Sequence, residues 1–251
     1  MAPLTRPGVV HLFRGQGDAT WPAVPTLYRR FINAGYDESE ITEELISRHE
    51  TDLFCEAHGA GFYLGNRLET MIRLQHFGGS TRLLDVTRDP FVALWFAVSS
   101  EHDDRDGNIV CYSADPAVVA MPGSISTWDD IAEKIPSGQA IVYFPGRDEE
   151  RVKAQYAGFI SATLKGGLDE GCAYTIGTDK IELQSIIIPA ILKPVVREYL
   201  ITSRGFSPYS LFPDFAGFAI ANGAGRSFPR SAEMLYDGVD GLFPTGFEYP
   251  A

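Results

Sequence analysis

Arg14 stands at the end of an apolar run and is followed by two glycines. In an extended chain alternate side chains share a face, so Leu12 and Arg14 are expected on the same side of an opening strand. A guanidinium group presents its donors in a fixed fork that suits carboxylates and phosphates. Gly15 and Gly17 have no Cβ, which lets the backbone turn sharply or lets a ligand lie against it. The pattern predicts a strand end directed at an anion, with Gly15 and Gln16 beside it.

A second polar cluster lies between two apolar helical patterns, in residues 75–85. The members that can do chemistry are Gln75, His76, Thr81, Arg82 and Asp85. A connection this short cannot carry all of them away from the neighbouring core, and buried polar groups need partners. We expect the two segments to meet in one pocket, where Arg14 or Arg82 binds a phosphate or carboxylate and Asp85 holds the guanidinium in orientation.

The same residues allow a purely structural explanation. An ion pair between Arg14 and Asp85, flanked by His76 and Gln75, would satisfy the polar groups without any ligand. Asp214, which follows a Phe-Pro pair, is expected either to reach this pocket or to cap a turn. The sequence leaves these alternatives open.

The charge balance of the chain disfavours bulk nucleic acid as a partner. The 251 residues include 33 Asp and Glu against 21 Lys and Arg, a formal net charge of −12, so the overall field repels a polyanion. Arg outnumbers Lys, which leaves room for local sites that bind a small anion or a nucleotide. The apolar fraction of 45% and the charged fraction of 22% are typical of a soluble globular protein.

The cysteines give no support for a metal site or a disulfide framework. Cys55, Cys111 and Cys172 have no paired spacing. No stretch is long and apolar enough to span a membrane, and the N-terminus lacks the layout of a signal peptide. We therefore expect a cytoplasmic protein with no metal and no membrane partner.

Hydrophobic periodicity predicts the elements that position the two clusters. Helices are expected at residues 38–57, 66–76, 89–98 and 192–204, and extended segments follow residue 9 and span residues 80–86, 108–112, 140–144, 159–164 and 181–188. The helix at 89–98 is the best defined, since Asp89 and Pro90 form a strong helix start. Two nearby prolines argue against a regular helix across residues 21–31.

Strands and helices come in blocks instead of alternating regularly. This arrangement favours an α+β fold with a mixed or antiparallel sheet and segregated helices. We expect a single domain over residues 1–251, with its core at about residues 9–217 and a glycine-rich extension at residues 221–251.

Five segments, in order along the chain, resemble the FRG domain family, which is named for its Phe-Arg-Gly motif. They are residues 13–16, 21–29, 74–97, 151–159 and the closing pair 188–193 with 211–214. The resemblance runs from about residue 11 to residue 217. Members of this family occur often in bacterial and phage genomes, which implies a role in conflict or defence.

A fainter resemblance connects the sequence to ADP-ribosyltransferases of the arginine type. Phe13-Arg14-Gly15 is similar to their aromatic-Arg-Gly strand end, Ser80-Thr81 to their central Ser and Thr segment, and Glu182 to their catalytic acid. The resemblance implies a split sheet and NAD as substrate. Arg14 would anchor the dinucleotide, and Glu182 would stabilise the oxocarbenium-like ribose. The alternative for Glu182 is a solvated residue at the start of a strand.

The two resemblances together imply an NAD-dependent, ADP-ribosyltransferase-like effector of the bacterial toxin or anti-phage defence type. Arg14 and Glu182 would then be catalytic, and the residues of the two clusters would bind the ligand. The alternative is a non-catalytic module that senses a nucleotide or small anion, or that interacts with a partner protein. A third interpretation is a structural protein whose polar cluster is only a core network.

Overall fold

The computed structural model describes residues 8–62, 65–99, 102–120, 125, 127–128, 140–146, 150–162 and 180–221. Cys172 and residues 222–251 of the expected glycine-rich extension lie outside this part of the chain. The strands described are β1 (Val10–Gln16), β2 (Leu84–Thr87), β3 (Gly107–Ala114), β4 (Val119–Ala120), β5 (Ala140–Tyr143), β6 (Ala157–Ala162) and β7 (Ile181–Ile188).

The α-helices of the same ranges are α1 (Thr26–Asn33), α2 (Glu43–Gly59), α3 (Arg67–His76), α4 (Pro90–Val98), α5 (Glu150–Gln155), α6 (Lys193–Arg204), α7 (Pro208–Leu211) and α8 (Phe215–Ala221). Short 3₁₀ turns lie at Glu38–Glu40, Pro116–Val118 and Ala190–Leu192. Among these helices none is long and apolar enough to cross a bilayer.

The described strands form one sheet in the order β4-β5-β6-β2-β1-β3-β7. Neighbouring strands are antiparallel except β4 and β5, which are parallel. This mixed sheet with its surrounding helices confirms the predicted α+β class. Strand β1 lies near the centre of the sheet, so its end is enclosed by elements from distant parts of the chain.

One face of the sheet carries the largest part of the core. Directly opposed residues of antiparallel strands share a face, and the pair Leu12 and Tyr112 lies on this one. Both side chains are fully buried and pack with Leu27 and Phe31 of helix α1. Arg14 follows Leu12 by two residues, so its side chain leaves β1 on this core face.

The opposite face is divided between two helices. Helix α4 packs its Ala93 and Ala97 against β1 and β3, while α3 packs Met71 and Ile72 against the half of the sheet that contains Phe159 of β6. Strands β1 and β2 pair through a single residue pair, Phe13 with Thr87. Strands β1 and β2 are therefore joined by a single residue pair at the place where helices α3 and α4 are separated.

Gly15 lets α4 lie directly on β1. A Cβ at this position would stand 1.8 Å from the carbonyl oxygen of Ala93, far inside van der Waals contact. Gly107 of β3 has the same role, since its Cβ would stand 2.4 Å from the carbonyl oxygen of Ala97. The two glycines thus fix the depth at which α4 lies on the sheet, and Gly15 does so next to Arg14.

The turn after β1 is held by a buried lysine of a distant helix. Nζ of Lys193 donates to the carbonyl oxygens of Gly17 and His102, at 2.6 and 2.7 Å. Lys193 is 0% exposed, and burial lowers the pKa of its amine. The start of α6 is therefore tied to the strand end that carries Arg14.

Two helix predictions differ from the structure at their N-terminal ends. The helix predicted from residue 38 begins at Glu43, because the hydroxyl group of Thr42 accepts from the backbone N–H of Leu45 and caps it there. The capping box of Asp37 and Glu40 does form, but on a 3₁₀ turn. The prolines of residues 21–31 exclude a helix only up to Pro25, which is the N-cap of α1.

Replacing Gly15 with Ala should lower the free energy of unfolding by about 3 kcal/mol or more, because backbone atoms of α4 cannot move aside as a flexible side chain can. Gly59→Ala is the matched control, since nothing lies within 4 Å of its Cβ position at the end of α2. That substitution should leave stability unchanged or raise it by roughly 0.5–1 kcal/mol. Urea denaturation of both variants provides the measurement, and equal midpoints would show that α4 does not rest on Gly15.

Candidate ligand-binding site

A cavity of about 290 Å³ lies where β1 and β2 separate, between the C-terminal end of α3 and helix α4. Its polar wall consists of Arg14, Gln75, His76, Asp85, Thr87, Arg151 and Gln155. The apolar part includes Phe13, Val92, Phe96 and Phe212, and backbone is presented by Gly15 and Gly78. The two sequence clusters therefore meet at one cavity.

The Arg14 guanidinium occupies the gap between the two strands. Its Nη1 donates to the backbone carbonyl oxygen of Asp85 at 2.9 Å, and the Asp85 carboxylate lies 3.7 Å away. A side chain thus supplies the cross-strand hydrogen bond that a continuous ladder would make with backbone. Nε of Arg14 is buried and has no hydrogen-bond partner among the described residues. Arg14 therefore carries a buried donor that the surrounding residues leave unsatisfied.

A short hydrogen-bond chain orients Asp85. Nε2 of Gln75 donates to Oδ2 of Asp85 at 2.6 Å, and the hydroxyl group of Thr81 donates to Oε1 of Gln75 at 2.5 Å. Thr81 is fully buried and lies behind the cavity, so it orients Gln75 and does not face a ligand. The Asp85 side chain remains 47% exposed, which leaves its carboxylate accessible from the cavity.

Arg151 closes the side of the cavity opposite Arg14. It pairs with the carboxylate of Asp214 at 2.6 Å and donates to the backbone carbonyl oxygen of His76. Its guanidinium lies between the rings of Phe77 and Phe212, 5.1 and 5.0 Å from their centroids. Asp214 also accepts from the backbone N–H of Gly217. Asp214 therefore caps the start of α8, and it does not line the cavity itself but supports its wall through Arg151.

Arg29 of α1 adds positive charge behind the strand gap. Burial and the neighbouring charge of Arg14 lower the pKa of Arg29, while Asp85 opposes this effect. Two guanidinium groups thus lie within electrostatic reach of a single carboxylate. Burial also raises the pKa of Tyr112 to about 12, against the effect of Arg14, and its hydroxyl group has no hydrogen-bond partner among the described residues. Arg14 therefore lies near a second cation, Arg29, and near a buried hydroxyl group that stays protonated.

Arg82 does not line the cavity, contrary to the expectation from its place in the cluster. Its Nε and Nη2 both bind Glu50, each at 2.7 Å, and its Nη1 binds Glu43 at 2.6 Å. Arg82 and Glu50 are almost fully buried, and burial raises the pKa of Glu50 in spite of the Arg82 charge. The pair instead fixes helix α2 to the segment that precedes β2.

Gln16 and Glu182 also lie outside the cavity lining. The amide of Gln16 donates to the backbone carbonyls of Trp21 and Pro22, both at 3.3 Å, and holds the turn after β1. Glu182 is an exposed residue of β7, in register with Ser113 and therefore with His11 of β1. It is thus two strands and three residues from Arg14, about 14 Å at the usual spacings of a sheet. The expected pairing of Arg14 and Glu182 in one pocket is not formed.

Sequence reasoning missed several residues of the cavity wall, namely Thr87, Arg151, Gln155 and Phe212. Arg151 and Phe212 belong to segments that carried the family resemblance, which was the only available signal for them. The described residues contain no group of three or more His, Cys, Asp or Glu side chains that could hold a metal ion.

A family model described as the FRG domain matches residues 10–106. The chain carries an FRG domain. The match covers β1, α3, β2 and α4, so it contains Arg14, Gln75, His76 and Asp85 of the cavity. The wall formed by Arg151, Gln155 and Phe212 lies beyond the matched residues. No curated protein and no solved structure shows a significant match to the chain.

Replacing Glu50 with Ala should lower the free energy of unfolding by about 3–5 kcal/mol, because Arg82 would be left buried with one partner removed. The double variant Glu50→Leu, Arg82→Met should recover much of this loss, since it removes both buried charges. Chemical denaturation of the two variants tests the structural role of Arg82. A larger loss in the double variant than in Glu50→Ala would contradict it.

Proposed function

We propose that the FRG domain binds NAD in the cavity between β1 and β2 and transfers the ADP-ribosyl group to an acceptor. The observation that carries this proposal is the convergence of Arg14, Gly15, His76 and Asp85 on one cavity with an aromatic wall. A nucleotide needs cationic donors for its phosphates, an apolar surface for its base and polar groups for its ribose. The cavity offers all three within one strand gap.

The cavity volume suits part of a dinucleotide. At about 290 Å³ it lies near the lower end of small-molecule sites. In the proposed complex one nucleoside end of NAD enters the cavity, and the rest of the molecule extends from its mouth. Arg14 binds a phosphate or ribose oxygen, and Arg29 strengthens the positive potential at Arg14 without contacting the ligand.

The carboxylate for the chemical step is Asp85 in this proposal. Transfer breaks the glycosidic bond between ribose and nicotinamide and forms a bond from the same ribose carbon to the acceptor, which loses a proton. A carboxylate beside the ribose stabilises the positive charge that develops there. Asp85 lines the cavity with Arg14, whereas Glu182 does not, so the role implied for Glu182 by the resemblance passes to Asp85.

A non-catalytic nucleotide-binding module is the second candidate. Arg151 already forms an ion pair with Asp214, and Asp85 already contacts Gln75 and Arg14. Charged side chains that are already paired can bind a nucleotide without taking part in a reaction, as a binding module requires.

We propose a role as a toxin or anti-phage effector in the cytoplasm together with the transferase activity. In this role a partner protein is the acceptor of the ADP-ribosyl group, and the proposal rests on the family resemblance.

Arg14→Lys should weaken NAD binding by roughly tenfold or more, because an ammonium group cannot reproduce the paired donors of a guanidinium. For the wild-type protein, NAD at a hundred times its dissociation constant should add about 2.7 kcal/mol to the free energy of unfolding. Arg30→Lys is the control, since Arg30 is an exposed neighbour of Arg29 outside the cavity. Calorimetric titration of the three proteins gives the comparison, and equal affinities would remove Arg14 from the site.

Asp85→Asn should lower nicotinamide release and label transfer from NAD by about 10²–10³-fold, the usual effect of losing one stabilising group in a transition state. NAD affinity should change much less, since the amide oxygen of Asn can still accept from Gln75. Release is measured by chromatography after incubation with labelled NAD and cell lysate. Saturable binding of NAD to the wild-type protein without any release would support the binding module instead, and no binding of NAD would contradict the transferase.

A further inference from the structure

A second pocket, of about 350 Å³, lies on the other side of the end of α5. It is lined by Arg88, Phe144, Val152, Lys153 and Tyr156, and it meets the first cavity at Ala157. Neither the proposed NAD site nor the family resemblance assigns any role to this pocket.

The ring of Phe144 lines the buried side of the pocket and packs against strand β6. Phe144 is 6% exposed, and a Cβ on Gly158 of β6 would stand 2.7 Å from its ring. The absence of that Cβ lets the ring lie against the β6 backbone. The guanidinium of Arg88 lies 3.6 Å from the centroid of the same ring, within the range of a cation–π contact.

The pocket presents two cationic side chains. A guanidinium that stacks on a ring points its N–H groups outward from its edge, which is the direction from which a guanidinium binds an oxyanion. Lys153 and Arg88 are both exposed, and the Tyr156 side chain adds a hydroxyl group at the same opening. The described lining of this pocket therefore contains two cationic side chains and no carboxylate, on a chain with a formal net charge of −12. A small anion fits this charge pattern, whereas the chain as a whole repels a polyanion.

The backbone of Tyr156 is held in an unusual conformation between the two cationic residues. Its φ angle is +47°, the one positive value at a non-glycine residue in the described part of the chain. Its carbonyl oxygen accepts from the N–H of Arg88, and its own N–H donates to the carbonyl oxygen of Lys153, both at 3.2 Å. Left-handed backbone at a bulky residue is unfavourable and is concentrated at ligand sites. Here it sets the spacing of Arg88 and Lys153.

We propose that this pocket binds a small phosphate-bearing molecule, with the phosphoryl oxygens held by Arg88 and Lys153. A phosphoryl group has several acceptor oxygens, so it can engage a guanidinium edge and an ammonium group together. The proposal does not depend on the proposed NAD site, because the pocket has its own lining and its own cations. It does imply a shared wall, since Thr87 and Gln155 face the first cavity while their chain neighbours Arg88 and Tyr156 face this one.

The test is a titration of ¹⁵N-labelled protein with inorganic phosphate, with AMP and with ribose 5-phosphate, at constant ionic strength maintained with chloride. We expect saturable shifts of the Arg88, Tyr156 and Ala157 amides with each probe. Arg88→Gln should weaken phosphate binding by roughly tenfold or more, and Lys153→Gln should weaken it in the same direction. Arg30→Gln should bind phosphate as the wild-type protein does, and the cavity variant Arg14→Lys should leave the phosphate-induced shifts of the Arg88 and Tyr156 amides unchanged.

Each outcome decides for or against the pocket. Equal affinity for the three probes would show that the phosphoryl group alone is recognised, whereas tighter binding of AMP would show that the base or ribose contributes; both support the proposal. It is overturned if phosphate produces no saturable shift, if the shifts persist unchanged in Arg88→Gln and Lys153→Gln, or if AMP shifts only Thr87 and Gln155. Circular dichroism of the two variants verifies folding, and Lys153→Gln alone suffices if Arg88→Gln does not fold.

Discussion

The contact between the Arg14 guanidinium and the backbone of Asp85 is the interaction on which the site depends. Two central strands of a sheet would ordinarily close against each other with regular backbone hydrogen bonds. Here β1 and β2 share a single residue pair, and a charged side chain supplies a bond that the backbone does not make. The Arg14 side chain thereby stabilises the gap between β1 and β2, and the gap stays open. The cavity is the space that this arrangement leaves.

The surrounding elements keep the interruption open from both faces of the sheet. Gly15 lets α4 rest directly on β1. The hydrogen-bond chain from Thr81 through Gln75, near the end of α3, fixes the position of Asp85 in β2. The buried pair of Arg82 and Glu50 anchors the same segment to α2. These contacts fix β1 and β2 independently of each other, so the gap between them does not depend on a bound ligand. A preformed site of this kind loses less conformational entropy on binding than a mobile one.

The sequence was sufficient for much of the fold near the site. The Asp89-Pro90 helix start, the opening strand that carries Arg14 and the polar cluster after α3 all follow from local patterns, and the structure has each of them. The strand does not end at Arg14 as predicted, because Gly15 and Gln16 still pair with β3. Local patterns could not assign Arg82, because its partner Glu50 lies 32 residues away on helix α2. They could not place Glu182 either, because the insertion of β3 between β1 and β7 depends on the order of strands in the sheet. The part of the cavity wall that contains Arg151 also could not be predicted, because the position of Arg151 depends on a contact with Asp214, 63 residues later.

The cavity is assembled from two unequal parts of the chain. Arg14 and Asp85 lie inside the residues that match the FRG family. Arg151, Gln155 and Phe212, which form the outer wall of the cavity, come from segments beyond them. Under the proposed function, Arg14 anchors the ligand and the outer wall selects it, so the two roles belong to separate segments of the chain. In that proposal, changes confined to the outer wall alter which molecule fits while Arg14 stays in place at the strand gap, so the same anchor serves chains of divergent specificity.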